Sequence, residues 1–244
     1  MKSAIIYRGP SLIDGAPIVV IAIDSYRNTK TGRMIHTYIL RADMDPREAN
    51  KTGADFSICG DCPHRGTPTN DPDAKQAKNR SCYVLLGQGV LIAYRAMIRG
   101  VYPEISGHAA ITAIGRGKLV RLGTYGDPAA VPSYIWESLI SEAQAHTAYS
   151  HQSARADSSF NASYMMESAD SLAQAEAAWA HGRRTFRVVS SLNDIVPGKE
   201  ILCPASAEAG RRVTCSQCKL CGGAAIAAKS IAIPAHGAGR KYAA

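Results

Sequence analysis

Seven cysteines fall into two sets whose spacing suits metal ligation. The C-terminal set is Cys203-Pro204 followed by Cys215-Ser216-Gln217-Cys218-Lys219-Leu220-Cys221. Three thiolates two residues apart can wrap one cube of iron and sulfide, and a distant Cys followed by Pro can supply the fourth ligand, as in ferredoxin-like 4Fe-4S ligation with the remote Cys placed first. Paired CxxC steps also build tetrahedral zinc sites, so zinc is the alternative metal. The N-terminal set is Cys59-Gly60-Asp61-Cys62-Pro63-His64 with Cys82 further on. Three cysteines leave one coordination position open, which separates a reactive centre from a structural one. His64 could close the set instead, giving a zinc knuckle that staples the loop. Divided as three plus four, no cysteine is left over. The odd total and the apolar stretch at the N-terminus, too short for a secretory signal, argue against a disulfide framework and for a cytoplasmic protein.

These ligands need elements to hold them. Residues 17–23 (PIVVIAI) and 34–40 (MIHTYIL) read as a hairpin around the turn material of 28–33. The stretch 43–80, rich in Pro, Asp, Asn, Gly and Thr, is a long loop that something other than periodic packing must order. Helices follow at 83–98 and 106–114, a strand at 118–124, and a helix from Pro132 to about Ala145. Residues 146–150 and 161–166 read as short strands. Ser171 and Gln174 form a capping box that starts a helix closed by Gly182, and strands at 185–189 and 200–202 come after it. About five or six βα units predict an α/β fold, a full or partial (β/α) barrel of parallel strands. The N-terminal hairpin (1–45) packs on the main domain (46–202), and a cysteine-rich metal-binding segment (203–244) closes the chain.

The step from Cys82-Tyr83 into a helix, the strand end Gly123-Thr124-Tyr125-Gly126-Asp127-Pro128, the strand end Tyr149-Ser150-His151-Gln152 and the closing CP…CxxCxxC resemble a group of phage and prophage proteins related to the radical S-adenosylmethionine (SAM) enzymes. The resemblance covers roughly residues 59–221, about two thirds of the chain. It implies a full or partial barrel whose mouth holds a 4Fe-4S cluster on Cys59, Cys62 and Cys82, with SAM on the open iron and Gly126-Asp127-Pro128 where the family's Gly-Glu-Pro stretch meets the SAM amine. Two features depart from the family: its usual CxxxCxxC lies in one tight loop, and Asp127 stands in place of Glu.

His151 and Asp127 end neighbouring predicted strands, where barrel enzymes gather their chemistry, and are the candidate catalytic pair. Asp127 would be the nucleophile if the chain were instead a base-modifying, transglycosylase-like barrel with structural zinc. Arg121 and Arg187, inside strands, read as salt-bridging residues ahead of anion binders. Trp136 and Trp179 read as core. An apolar fraction of 46% with 20% charged residues excludes global disorder, collagen and a coiled coil. No apolar run reaches the roughly 18–20 residues of a membrane span. Twenty-eight Lys and Arg against 20 Asp and Glu give +8, which favours an anionic partner such as a nucleic acid or nucleotide. The expectation is an iron–sulfur enzyme with one or two 4Fe-4S clusters acting on such a substrate. The competing expectation is a zinc-stabilised, basic, non-catalytic protein that binds nucleic acid or a host partner.

Overall fold

The apolar run in the first predicted hairpin becomes β2 (Pro17–Ser25), and its residues 18–22 are wholly buried. A strand apolar on both sides needs cover on both faces. β2 pairs antiparallel with β1 (Ser3–Pro10) on one side and with β3 (Met34–Arg41) on the other. β3 then pairs in parallel with β4 (Leu119–Tyr125), and β4 in parallel with β5 (Ala145–Thr147). The N-terminal hairpin and the units after it therefore share one five-stranded sheet in the order β1-β2-β3-β4-β5. A second sheet, parallel throughout, is ordered β6 (Tyr149–Ser150), β7 (Met166–Ala169), β8 (Thr185–Val189), β10 (Ser230–Pro234), β9 (Glu200–Leu202). This computed structural model describes residues 3–26, 28–237 and 239–242.

Ala148 is the seam between the sheets. Its N–H donates to the Cys221 carbonyl at 2.9 Å and its own carbonyl accepts from Met166 N–H at 3.0 Å. The main core lies over the first sheet, where α3 (Leu91–Ile98), α4 (His108–Gly115) and α5 (Ser133–Ile140) contribute Met97, Ile111, Ile114, Ile135, Trp136 and Leu139. Trp136 is fully buried and its indole N–H donates to the Pro128 carbonyl at 2.7 Å, so burial leaves no donor orphaned. At Gly115 a Cβ would stand 1.9 Å from the Leu139 carbonyl oxygen, so only glycine lets α4 and α5 approach this closely. Trp179 lies on α6 (Leu172–Ala180), partly buried, with its N–H shared between the Thr185 and Ser230 hydroxyls. Among the described residues no helix is long and apolar enough to cross a membrane.

Several element boundaries differ from those the sequence predicts. The expected helix at 83–98 is regular only as α3, because Gly87 and Gly89 flank Gln88, whose backbone leaves the helical region (φ −112°, ψ −120°) in a π-type turn at Leu86–Val90. Residues 161–164 are a turn rather than a strand, since the Asn161 side chain accepts from the Ser163 N–H and hydroxyl. The helix after Pro132 stops at Ile140. β1 and β10 carry no turn-bounded signal and were not expected. Arg187 is salt-bridged as expected: its guanidinium meets buried Glu200 at 2.6 and 2.9 Å.

The stretch 43–80 is ordered by polar chemistry. α1 (Pro46–Thr52) starts on the Asp45 side-chain cap, and α2 (Phe56–Cys59) follows it. Asp55, buried, takes Arg65 at 2.6 Å and Asn50 at 2.7 Å, while Arg65 also donates to the Gly53 and Gly60 carbonyls.

His36 on β3 is 1% exposed, its two ring nitrogens occupied by the Thr31 and Thr124 hydroxyls at 3.0 and 3.1 Å. Burial first, and Arg121 second, lower its pKa to about 4. On acidification the unfolded chain takes up the proton first, so stability is complete above about pH 6.5 and falls as pH drops from there towards 4. The loss through this group reaches about 3 kcal/mol. Urea unfolding of wild type and His36→Gln between pH 7 and 4 should show this slope in the wild type and a shallower one in the variant.

Candidate metal centres

The N-terminal cysteines are held by the ends of two strands, β4 and β6. Asp127 lies two residues past β4, and its N–H donates to the carbonyl of Ile58 in α2. Its carboxylate accepts Ala129 N–H at 2.9 Å through one oxygen and His151 N–H at 2.8 Å through the other. Gln152, beyond β6 and fully buried, donates to the Cys59 carbonyl at 3.0 Å and accepts Asp61 N–H at 3.4 Å, holding both ends of the Cys59–Cys62 turn. Gly60 adopts φ +53°, and a Cβ there would stand 2.2 Å from the Gln152 side-chain oxygen. Cys82 joins the turn through its N–H, which donates to the His64 carbonyl at 3.0 Å.

The three thiols influence one another electrostatically. Burial pushes the Cys59 thiol well above its ordinary range, with Asp55, Cys62 and Cys82 adding to the rise and Arg65 opposing it. Cys82 is raised by burial and by Cys62, against Arg80 and His151. His64 does not close this set. Its Nδ1 meets the Ser81 hydroxyl at 2.7 Å and its Nε2 faces Asp170 Oδ1 at 3.3 Å. It is His151 that interacts electrostatically with Cys62, while its Nε2 stands 3.2 Å from the same Asp170 oxygen. Burial opposes a charge on His151, yet Cys62 and Asp170 raise its pKa well above the ordinary value. The Asp170 carboxyl, despite its burial, is held far below the carboxylate range by hydrogen bonds to His151 and His64.

The C-terminal cysteines converge from two directions. Cys203 extends β9, its N–H donating to Ala232 of β10, and α7 (Cys215–Cys218) is started by a capping box between Thr214 and Gln217. Lys219, at φ +58°, turns the chain towards Cys221, which is fixed at the Ala148 seam. Arg184 locks this loop by donating to the carbonyls of Leu220, Gly223 and Lys229 at 2.6 to 2.9 Å. Burial raises Cys203 to about 11 and Cys221 to about 12. The other three cysteines of the set each add to the rise at Cys221, against a hydrogen bond to Tyr149.

Arg121, in β4, is 7% exposed and lies between the two sets. It donates to the Tyr83 hydroxyl at 2.6 Å and lies over the Tyr149 ring at 5.4 Å. Burial opposes its charge, while Tyr83, Tyr149, Cys215 and Cys221 favour it. Among the described residues no carboxylate lies within ion-pair distance of it, so the salt bridge expected from the sequence is not formed. Also among the described residues, the one group of three or more His, Cys, Asp or Glu side chains whose ligand atoms all lie within 4.8 Å of one another is His64, His151 and Asp170. No three cysteine sulfurs are mutually that close.

Asp127 thus works on the backbone: it caps the 3₁₀ turn at Pro128–Ala130 and positions His151. With both oxygens engaged and the group buried, neither a nucleophile nor a contact to the SAM amine fits it, and Gly126 is closed in by Ile39 and Ile58. Sequence reasoning assigned no role to Gln152, Ser81 or Asp170. Asp170 alone carried a usable signal, standing between a strand and the Ser171 capping box.

Asp127→Asn places a side-chain N–H₂ against one of the two backbone donors, and it should lower stability by about 1–3 kcal/mol in urea unfolding; an unchanged midpoint would remove the positioning role. No protein-family model, curated protein or solved structure matches the chain.

Proposed function

We propose that the chain is an iron–sulfur enzyme of radical-SAM-like architecture, with a reactive cluster on Cys59, Cys62 and Cys82 and a second cluster on Cys203, Cys215, Cys218 and Cys221. The observation that carries the reading is Arg121. A buried guanidinium without a counter-charge costs several kcal/mol. Neutral thiols at Cys215 and Cys221 do not offset that cost, whereas thiolates on a metal centre do, because a coordinated thiol is deprotonated outright.

Spacing favours a cluster over single zinc ions. A zinc tetrahedron with bonds of about 2.3 Å sets its sulfurs about 3.8 Å apart. In neither cysteine set do three sulfurs all lie within 4.8 Å of one another, and the overlapping CxxCxxC places three ligands in the close succession that a cluster takes. When bound, a cluster on three thiolates supplies an iron with an open position and one-electron chemistry. SAM is left out of the reading, since Gly126-Asp127-Pro128 do not fit its amine.

The chain's own residues supply orientation and shielding. Gln152 and Asp127 fix the cysteine turn and the His151 backbone, and the His151 imidazole interacts electrostatically with Cys62. Asp127, His151 and Asp170 lie just past the carboxyl ends of β4, β6 and β7, each a strand with a parallel neighbour, where parallel α/β folds build sites. The junction of the two sheets through Ala148 supports a partial barrel. The excess of positive charge supports a nucleotide or nucleic-acid substrate.

Protein purified without oxygen should be brown and carry about eight iron and eight sulfide per chain, as two cubes require. Cys59→Ser and Cys218→Ser should each remove about half of both, and Arg121→Met should deplete only the half that Cys218→Ser removes. A colourless chain with about two zinc ions would overturn the proposal.

A further inference from the structure

We propose that His64, His151 and Asp170 form a binding site for a divalent first-row transition-metal ion, next to the cysteine trio and separate from it. The inference goes beyond the cluster reading, because its three ligands are two nitrogens and an oxygen and include no thiol.

The geometry is that of a ligand set. Asp170 Oδ1 lies 3.3 Å from His64 Nε2 and 3.2 Å from His151 Nε2, and all three atoms lie within 4.8 Å of one another. With metal–ligand bonds of about 2.0–2.1 Å, a tetrahedral ion has ligand-to-ligand edges of about 3.3 Å. Two of the three edges already have that length. The third closes by rotation of imidazole rings whose centroids are 5.8 Å apart and inclined at 71°.

Each ligand is also held from behind, as metal ligands are. The Ser81 hydroxyl meets His64 Nδ1 at 2.7 Å, which leaves Nε2 facing the site. The Asp127 carboxylate fixes the His151 backbone. Gln174 accepts the Asp170 N–H at 2.6 Å, anchoring that residue at the start of α6. The side chains of His64, His151 and Asp170 are 19, 18 and 26% exposed, so an ion can enter and keep open positions for water or substrate. Two histidines and one carboxylate with open positions make the donor set of iron(II) oxygenase-type sites, and the same set accepts manganese(II).

Manganese(II) is the probe, because carboxylate and imidazole bind it while thiolates prefer softer ions. The full chain, prepared without oxygen and treated with a chelator too weak to strip thiolate-bound metal, is titrated with manganese(II) while the electron-paramagnetic-resonance signal of the free ion is followed. About one ion per chain should be taken up by the wild type. His64→Ala should abolish uptake, Asp170→Asn should weaken it by more than tenfold, and Ser81→Ala, which leaves the ligands in place, should weaken it about tenfold. Iron and sulfide should stay at the wild-type level in all three, and Cys218→Ser should take up manganese normally. No uptake by the wild type, or uptake that Asp170→Asn and Ser81→Ala leave unchanged, overturns the site. Iron and sulfide report on the clusters independently, so the two proposals fail separately. Should Asp170→Asn not fold, as judged by circular dichroism, Ser81→Ala decides.

Discussion

A guanidinium placed inside a buried parallel strand must be surrounded by groups that accept its charge, and in this chain the surroundings of Arg121 set the rest. Tyr83, one residue past Cys82, reaches it from the N-terminal cysteine set. Tyr149, next to the Ala148 seam, stacks beside it, and Cys215 and Cys221 approach from the C-terminal set. Three stretches of sequence far apart in the chain therefore meet at one side chain. Stranding a buried charge costs several kcal/mol, so their convergence on Arg121 contributes to the stability of the fold.

Elsewhere the fold neutralises buried arginines by other means. Arg187 forms a two-point pair with Glu200, and Arg65 pairs with Asp55 inside a network that Asn50 completes. Arg184 has no carboxylate and donates through its two terminal nitrogens to three backbone carbonyls, two of them close to Cys221 in sequence, while its Nε has no partner. Pairing and carbonyl capture each fix a loop that has no apolar side to bury. This is how a polar stretch such as residues 43–80 becomes ordered enough to present Cys59 and Cys62 at defined positions.

The middle of the chain was legible because its signals are local. The β-branched runs of β2 and β3, the strand β8 and the Ser171 cap of α6 follow from periodicity and capping, which act within a few residues. Trp136 was legible as core for the same reason. β10 was not, since what makes it a strand is its pairing with β8 and β9, some 30 to 45 residues earlier, and β1 was not, since its strand character comes from pairing with β2. The role of Asp127 was misread for a related reason. A carboxylate at a strand end looks alike in sequence whether it faces a substrate or accepts two backbone N–H groups, and only the position of His151 and Ala129 separates the two.

By itself the sequence determined the candidate donor atoms: seven thiols split three and four, five of them at CxxC spacing, on a basic α/β chain. Spacing along a chain constrains only near neighbours, so it carried Cys59 to Cys62 and Cys215 to Cys221. The tertiary structure decided the remainder. Parallel pairing of β3, β4 and β5, continued past Ala148 by β6 and β7, set Asp127, His151 and Asp170 at the ends of β4, β6 and β7, while the His64 carbonyl held Cys82 to the turn that carries Cys62. It also aimed His64 at Asp170 instead of at the thiols, because the direction of a side chain is fixed by the packing of its backbone and not by the residues written beside it.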